Sequence, residues 1–412
     1  MDKEKKVKKL KKEKVKMPWW IIFIFTTASK FFLWFTNRPK VDRTVLKKQK
    51  RGCILIYNHF SNKDHYFIQY AVGYRPINYV LASYFFYKKP LGTFLNLANA
   101  ISKDQFKPDI MAIRKMKKSV DQDGIVCIAP AGQTSIDGAS PFISPQIVKL
   151  IRMAKTDVLA LRMEGTYLTF PKWRLTPRKT NINLKFIKVI DKDDLSKYTD
   201  EEIYKLVADS INVNEYTDQL TRKRIIKSKS PASGLEGVLV KCPKCLDTHS
   251  YKTDKDVLTC TTCDNQVKVN QYGLFEKVKE DDVIFDNLPD WYKWQKEELK
   301  KQIDTFEIKQ NVTVQTNIKT INSLEECGKG ILYLNKDRFY YEGTIYGENV
   351  IKEFKLEQIA QLPFEPFVRF EIPDSEGMFR FIPEDVYTII DYVQFVDLLN
   401  DERNKQHEEN SN

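Results

Sequence analysis

Cys53-Ile54-Leu55-Ile56-Tyr57-Asn58-His59-Phe60-Ser61-Asn62-Lys63-Asp64 is the stretch on which the reading of this chain turns. Its apolar half, Cys53 to Ile56, is a run of β-forming residues that reads as a buried strand. A histidine leaving such a strand stands at the sheet edge, where open α/β sheets place their ligands. Ser61 and Asn62 are good helix N-caps, which puts Asp64 in a first helical turn. The loop then folds back until the Asp64 carboxylate meets one imidazole nitrogen of His59. That contact fixes the tautomer, orients the ring and favours its protonated form. The other nitrogen is left to take a proton from a substrate hydroxyl. A bare His-x4-Asp is more often a satisfied structural pair, so the flanking chain has to carry the reading.

Outward from this stretch, apolar strands alternate with helical patterns. Strands are expected at 53–58, 78–83, 124–129, 158–163 and 182–190, with helices near 64–73, 86–98, 109–121 and 144–155 between them. That alternation predicts an α/β domain over residues 40–227 with a mixed, largely parallel sheet flanked by helices. At 412 residues the chain is too long for that domain alone.

Asn58-His59-x4-Asp64 after an apolar strand resembles the first motif of the glycerolipid acyltransferase superfamily, the lysophosphatidic acid (1-acylglycerol-3-phosphate) acyltransferase type. The resemblance runs over residues 18 to 220. Asn99-Ala100-Ile101-Ser102-Lys103 stands where the family has a strand ending in a phosphate-binding arginine. Lys103 keeps the charge and loses the planar fork. Pro130-Ala131-Gly132-Gln133-Thr134-Ser135 is similar to the family's Pro-Glu-Gly-Thr-Arg-Ser loop. Pro130, Gly132 and Ser135 match; Ala131 replaces the glutamate and Thr134 the arginine. Gly165-Thr166-Tyr167 and Pro171-Lys172-Trp173 resemble a run found in bacterial variants. The resemblance implies transfer of a fatty acyl group from acyl-CoA, acyl carrier protein or an acyl phosphate to a lysophospholipid hydroxyl. It implies His59 and Asp64 as the catalytic pair. Lys103, Gly132, Gln133, Thr134 and Ser135 would then bind the acceptor's phosphate or the oxyanion, with no catalytic metal.

The formal net charge is +12, and residues 1–16 carry nine lysines against three acids, half of the excess. A basic balance points to nucleic acid or to an anionic membrane surface. The run Met17-Pro18-Trp19-Trp20-Ile21-Ile22-Phe23-Ile24-Phe25 and the later Phe31-Phe32-Leu33-Trp34-Phe35 choose the membrane. No small-residue cleavage site follows, so a cleaved leader is not expected. Lys30 interrupts the one window long enough to span a bilayer, so 17–36 reads as a membrane-interface helix behind the 1–16 polybasic tail. These features predict a peripheral or monotopic protein on the cytoplasmic face of the cell membrane. The scarcity of Gly beside abundant Lys, Asn and Ile suggests a bacterial, AT-rich origin.

Residues 228–237, rich in Ser, Pro and Gly, read as a linker. Cys242-x2-Cys245 and Cys260-x2-Cys263 follow, fourteen residues apart. Two such knuckles predict a four-cysteine zinc ribbon over 238–275, with short strands at 238–240 and 267–269. Four thiolates leave zinc no open position, so a structural ion is expected. Cys53, Cys127 and Cys327 are scattered, as in a reducing compartment. A charged helix is expected at 290–306. A β-rich module is expected at 311–402, ending in a helix from Pro383 to near Asn400 and resembling a GRAM or pleckstrin-homology-like unit, before a disordered 403–412 tail. Two other functions fit parts of the chain: a membrane adaptor on a degenerate version of the same fold, favoured by Ala131 and Thr134, and a zinc-ribbon nucleic-acid binder, favoured by charge.

Overall fold

The computed structural model describes residues 15–409 apart from 88–89, 104–108, 175, 320–322, 360 and 375, and leaves out the side chains of 84 and 404–409. The polybasic tail therefore lies outside the described residues up to Lys14.

The first domain begins with α1 (Trp19–Thr36), β1 (Lys40–Asp42), α2 (Thr44–Lys48), β2 (Cys53–Tyr57), α3 (Asp64–Val72) and β3 (Ile77–Ala82). It continues with α4 (Leu91–Leu97), β4 (Ile101–Lys103), α5 (Ile110–Val120), β5 (Ile125–Ile128), α6 (Gln146–Ala154), β6 (Asp157–Glu164), α7 (Thr166–Thr169) and β7 (Asn183–Ile190). Helices α8 (Asp200–Ile211) and α9 (Glu215–Arg222) close it. The strands form one sheet in the order β1-β7-β6-β2-β5-β3-β4. Only the β6–β7 pairing is antiparallel.

Strand β2 is central, and its residues alternate between two cores as the pleat requires. Cys53, Leu55 and Tyr57 pack with Ile21, Leu33 and Phe67 from α1 and α3. Ile54 and Ile56 pack on the other face with Met116, Ile151 and Val207 from α5, α6 and α8. Both isoleucines are wholly buried, and truncating either to alanine would cost ~2–5 kcal/mol. A strand covered on both faces has no alternation of polarity, which is why it reads as a continuous apolar run.

The small domain is a four-stranded sheet, β8 (Tyr251–Asp254), β9 (Val257–Cys260), β10 (Gln266–Val269) and β11 (Phe275–Lys277), in the order β11-β10-β9-β8. The strand expected at 238–240 is absent. Leu235–Gly237 is a short 3-10 turn, and Val238, Leu239 and Val240 are buried in the shared core instead. The 228–237 connection is itself packed, with Ala232 and Leu235 fully buried. Helix α10 (Leu288–Lys300) leads to the C-terminal module.

That module is an antiparallel sheet of seven strands. They are β12 (Glu307–Thr316), β13 (Glu325–Asn335), β14 (Phe339–Ile345), β15 (Glu348–Phe354), β16 (Phe364–Glu365), β17 (Arg369–Pro373) and β18 (Met378–Pro383). Their order is β15-β14-β13-β12-β18-β17-β16. The terminal helix α11 (Ile389–Glu409) lies on it, with the Tyr392 hydroxyl donating to the Leu332 carbonyl at 3.1 Å. Ile389, Ile390, Val393, Val396 and Leu399 are buried along it. The helix continues past Asn400 to Glu409, so 403–409 is helical where a disordered tail was expected.

The two cores of the first sheet are distinct, and a third cluster joins the modules. One buried apolar cluster runs from Phe60, Tyr167 and Trp173 of the first domain, through Leu258 and Val267 of the ribbon and Trp291 of α10, to Phe381 and Leu399.

Candidate active site

Five parallel strands end along one edge, and β2 delivers His59 to it. Asn58 locks the exit: its amide donates to the Met163 carbonyl at 2.7 Å, and its carbonyl oxygen accepts the Met163 N–H at 2.8 Å. The turn that follows differs from the expected cap. Lys63 holds the N-cap position without a side-chain bond. Ser61 Oγ accepts the Lys63 N–H instead, at 3.1 Å.

Asp64 organises this turn. Its Oδ2 accepts the Phe60 N–H at 2.9 Å, the Ser61 N–H at 3.1 Å and the His59 Nδ1–H at 2.8 Å. The Asp64 side chain is 2% exposed and that of His59 is 23% exposed. A buried carboxylate that holds Nδ1–H leaves the lone pair of the neutral ring on Nε2. His65 stands beside this pair. Loss of water around its ring, then the charges of Lys63 and His59, push it down to about 4.

Among the described residues, Nε2 of His59 meets the Thr134 hydroxyl, 3.2 Å away. The same hydroxyl lies 3.3 Å from Asn62 Oδ1. The 129–139 loop that carries Thr134 is tied to the histidine by the Ser135 N–H, which donates to the His59 carbonyl at 2.9 Å. Gly132 turns the loop at φ +70°, where a side chain would be strained. Ser135 is turned inward: its hydroxyl donates to the Ala139 carbonyl at 2.6 Å and accepts the Gly138 N–H at 2.9 Å. Gln133 is half-buried next to the exposed Gly132.

Lys103 ends β4 on the same edge, beyond β5 and β3. Three strand spacings put it roughly 14 Å from β2. The fold thus brings His59, Asp64, Gln133, Thr134 and Ser135 together and leaves Lys103 at the far end of the edge.

Behind the loop is a buttress that the sequence reading treated only as a family match. The Tyr167 hydroxyl donates to the Ile136 carbonyl at 2.8 Å and accepts the Trp173 Nε1–H at 2.8 Å. Gly138, at φ +94°, lies so close that an added Cβ would sit 2.9 Å from the Tyr167 ring. Glu215 ties two loops together. Its N–H donates to the Gly138 carbonyl at 3.0 Å, and its Oε1 accepts the Gly165 N–H at 2.5 Å. Burial pushes the Glu215 carboxyl up to about 8 against the pull of Arg224. Glu215 had no local signature, because its partners come from loops far away in sequence.

The C-terminal module reaches the same loop. Gln361 Nε2 lies 3.8 Å from where a Gly132 Cβ would stand. Lys172 Nζ sits 3.5 Å over the Phe364 ring. On the ribbon side, His249 Nε2 pairs with Asp391 of α11 at 2.6 Å.

In the ribbon, the sulfurs of Cys242, Cys245, Cys260 and Cys263 all lie within 4.8 Å of one another. Cys242 and Cys263 are 3.7 Å apart, and Cys245 and Cys260 are 3.8 Å apart. A tetrahedron with metal–sulfur bonds of ~2.3 Å has edges of about 3.8 Å. The four thiols are therefore placed to hold one ion.

Residues 37–167 match the family model described as Acyltransferase. Two 1-acyl-sn-glycerol-3-phosphate acyltransferases, from Limnanthes douglasii and Limnanthes alba, are each 24% identical over 164 residues, covering 39% of this chain and 58% of theirs. The chain thus spans somewhat over half the length of these curated relatives. Among solved structures, the 1-acyl-sn-glycerophosphate (LPA) acyltransferase of Thermotoga maritima matches at a TM-score of 0.41 and 18% identity, over 49% of this chain and 80% of that one. The family match contains both the His59 turn and the Thr134 loop.

Proposed function

From a first domain of the glycerolipid acyltransferase superfamily, we propose that this protein moves a fatty acyl group from an activated donor to the hydroxyl of a lysophospholipid. The observation that carries the reading is the buried Asp64 carboxylate on Nδ1 of a histidine whose other nitrogen, Nε2, meets a hydroxyl, that of Thr134. His59 takes the hydroxyl proton as the oxygen attacks the acyl carbonyl, and Asp64 stabilises the imidazolium. The proton then passes to the departing thiolate or phosphate. Lys103 supplies positive charge at the far end of the edge, and the backbone N–H groups of Gln133 and Thr134 serve the phosphate or the oxyanion. Zinc on the four cysteines is structural, since no ligand position is left open.

Membrane attachment is part of the same proposal. Helix α1 docks on α3 through Thr26, whose hydroxyl donates to the Gly73 carbonyl at 3.0 Å. Its other side exposes Trp19, Phe23, Ile24, Phe31, Trp34 and Phe35. On α4, Leu91, Phe94 and Leu97 are exposed as well. Asn99, just after α4, holds the Lys16 carbonyl at the start of α1 at 2.9 Å. Lys30, Arg38 and Arg43 line an open cleft of about 620 Å³ against Trp34 and Tyr70, a cationic setting suited to anionic headgroups. A helix held along its own domain on one side is suited to lying in the interface rather than crossing it.

Purified protein with His59→Ala should lose acyl transfer to lysophosphatidic acid by ~100-fold or more. Unchanged transfer would sink the assignment. The adaptor reading is favoured by one observation, the Thr134 hydroxyl standing where an acceptor hydroxyl has to come. A wild-type protein that gives no product from any acyl-CoA, acyl carrier protein or acyl phosphate with a panel of lysolipids would establish it instead.

A further inference from the structure

We infer that the cleft between the end of α1 and the end of α3 binds the phosphate headgroup of one anionic phospholipid that is neither acyl donor nor acceptor. The inference rests on the membrane attachment of α1 proposed above and gives that attachment a ligand. It does not depend on the chemistry of His59.

The cleft, of about 620 Å³, is lined by Lys30, Trp34, Arg38, Arg43, Tyr70 and Gly73, three cations and no acid. Each cation is held by uncharged groups. Lys30 Nζ lies 4.2 Å from the centre of the Tyr74 ring. The Arg38 guanidinium lies 4.9 Å from the Trp34 ring, and its Nε–H donates to the Trp34 carbonyl at 3.1 Å. Arg43 donates from Nε to the Ala71 carbonyl and from Nη2 to the Tyr70 carbonyl, both at 2.8 Å. Among the described residues none of the three pairs with a carboxylate, whereas Arg51 nearby in sequence gathers Asp157, Asp191 and Asp193. A ring or a carbonyl leaves a cation's charge uncancelled, and three such charges around one opening attract an anion. The carbonyl end of a helix repels an anion. Here Arg43 covers the Tyr70 and Ala71 carbonyls of α3, so Lys30 and Arg38 set the sign of the cleft.

The wall of the cleft favours a lipid over a free anion. Trp34 lines the opening and is exposed, as are Phe31 and Phe35 beside it. The Phe35 ring is 4.5 Å from Trp34 and 4.6 Å from Phe31. A phosphate among the three cations therefore lays its glycerol and chains against this aromatic stripe, with Trp34 at headgroup level. A free phosphate would leave the stripe bare.

The site is not the acceptor's. Asp64 opens α3 and Gly73 follows its last residue. The cleft therefore stands about 13 Å along the helix from the catalytic turn. Only a few bonds separate the reacting hydroxyl of a lysophospholipid from its phosphorus, so one acceptor does not span both places. A lipid in the cleft holds the far end of the helix whose first residue orients His59, which sets the height of the active edge against the bilayer.

The test uses the full chain with dihexanoyl phosphatidate, a soluble short-chain lipid, read by titration calorimetry and amide exchange. Dihexanoyl phosphatidylcholine and inorganic phosphate are the comparison ligands. Phosphatidate should slow exchange in 30–38 and 69–74, and the other two should not at the same concentration. Lys30→Gln combined with Arg38→Gln should weaken that binding by ~10-fold or more, at an unchanged melting temperature. Should the pair melt lower, either single change carries the same comparison. The inference is overturned if slowing is confined to 57–64 and 130–136, which puts the lipid at the sheet edge alone. It is equally overturned if inorganic phosphate or phosphatidylcholine protects the cleft as well as phosphatidate does, or if removing the charges leaves binding intact. Cleft protection beside a fully active His59→Ala would keep the site and sink the acyltransferase reading; an unprotected cleft beside an inactive His59→Ala would do the reverse.

Discussion

Among the described residues, two histidine–aspartate pairs of nearly equal length stand in unequal surroundings. His59 Nδ1 and Asp64 Oδ2 are 2.8 Å apart, and His249 Nε2 and Asp391 Oδ2 are 2.6 Å apart. The two histidines are almost equally exposed, at 23% and 24%. What separates them is what surrounds the pair. Asp64 is five residues from its histidine, gathers two backbone N–H groups as well, and aims the free nitrogen at a hydroxyl on the sheet edge. Asp391 is 142 residues from its histidine and joins the ribbon to the last helix. A short contact between an imidazole and a carboxylate does not by itself mark a catalytic pair. The free nitrogen and its location decide.

The sharpest way to break this contrast is to remove each imidazole in turn. His59→Ala should reduce acyl transfer ~100-fold or more, while His249→Ala stays within about threefold; steady-state rates on well-folded protein decide. Equal losses would erase the distinction. Asp64→Asn should fall with His59→Ala in rate, because an amide can hold the wrong tautomer.

Next in size is the metal. Stripping the ion with a chelator, or replacing Cys260 with serine, should melt β8 to β10 and lower the melting temperature, since ion binding and ribbon folding are coupled. Amide exchange in 251–269 would report it, and intact protection there without metal would contradict the fit of the four sulfurs. Smaller still, Tyr167→Phe removes the hydroxyl shared by Ile136 and Trp173. A cost of about 1–3 kcal/mol in stability is expected from the buried donor left behind, read in urea unfolding, with kcat falling more than KM rises.

The smallest expected effect is on the second pair itself. Loss of water pushes the His249 ring down. The hydrogen bond and charge of Asp391, with Asp385 and Asp247, push it further up, for a net rise. Burial pushes Asp391 up even with the ring beside it, so the pair holds its two modules weakly. A histidine raised on folding contributes stability that is full below the free-histidine value and fades as pH climbs through the higher folded value. Amide exchange in α11 should therefore quicken modestly above neutral pH in the wild type and show no such trend in His249→Gln.

The sequence made some of this legible and hid the rest for physical reasons. Runs such as Cys53–Tyr57 and Val158–Met163 are buried on both faces, so their apolar character is local information and the sheet was readable from it. The knuckle spacing of Cys242, Cys245, Cys260 and Cys263 is likewise local, and the four sulfurs do converge. The pairing of His59 with Asp64 spans one turn and could be argued from caps, although the cap fell on Lys63 rather than Ser61 or Asn62. Contacts made across the fold had no such trace. Nothing in Thr134 announces that it lands on Nε2, 75 residues away, and nothing in Glu215 announces Gly138 and Gly165. The Val238–Val240 run was apolar because it is buried beside α10, where the Gln295 amide donates to the Val238 carbonyl at 2.7 Å, and not because it is a strand.

The apolar cluster that runs unbroken from Phe60 to Leu399 has a practical corollary for anyone who would dissect this chain. Severed after Lys227, the first domain would bare Tyr167, Trp173, Tyr216 and Ile226 to water, greasy flanks now roofed by the ribbon and α10. Such a fragment should clump or lose the loop geometry that those rings prop up. Ile136 and Tyr167, behind the loop that meets His59, thus share one apolar cluster with the ribbon and the C-terminal module.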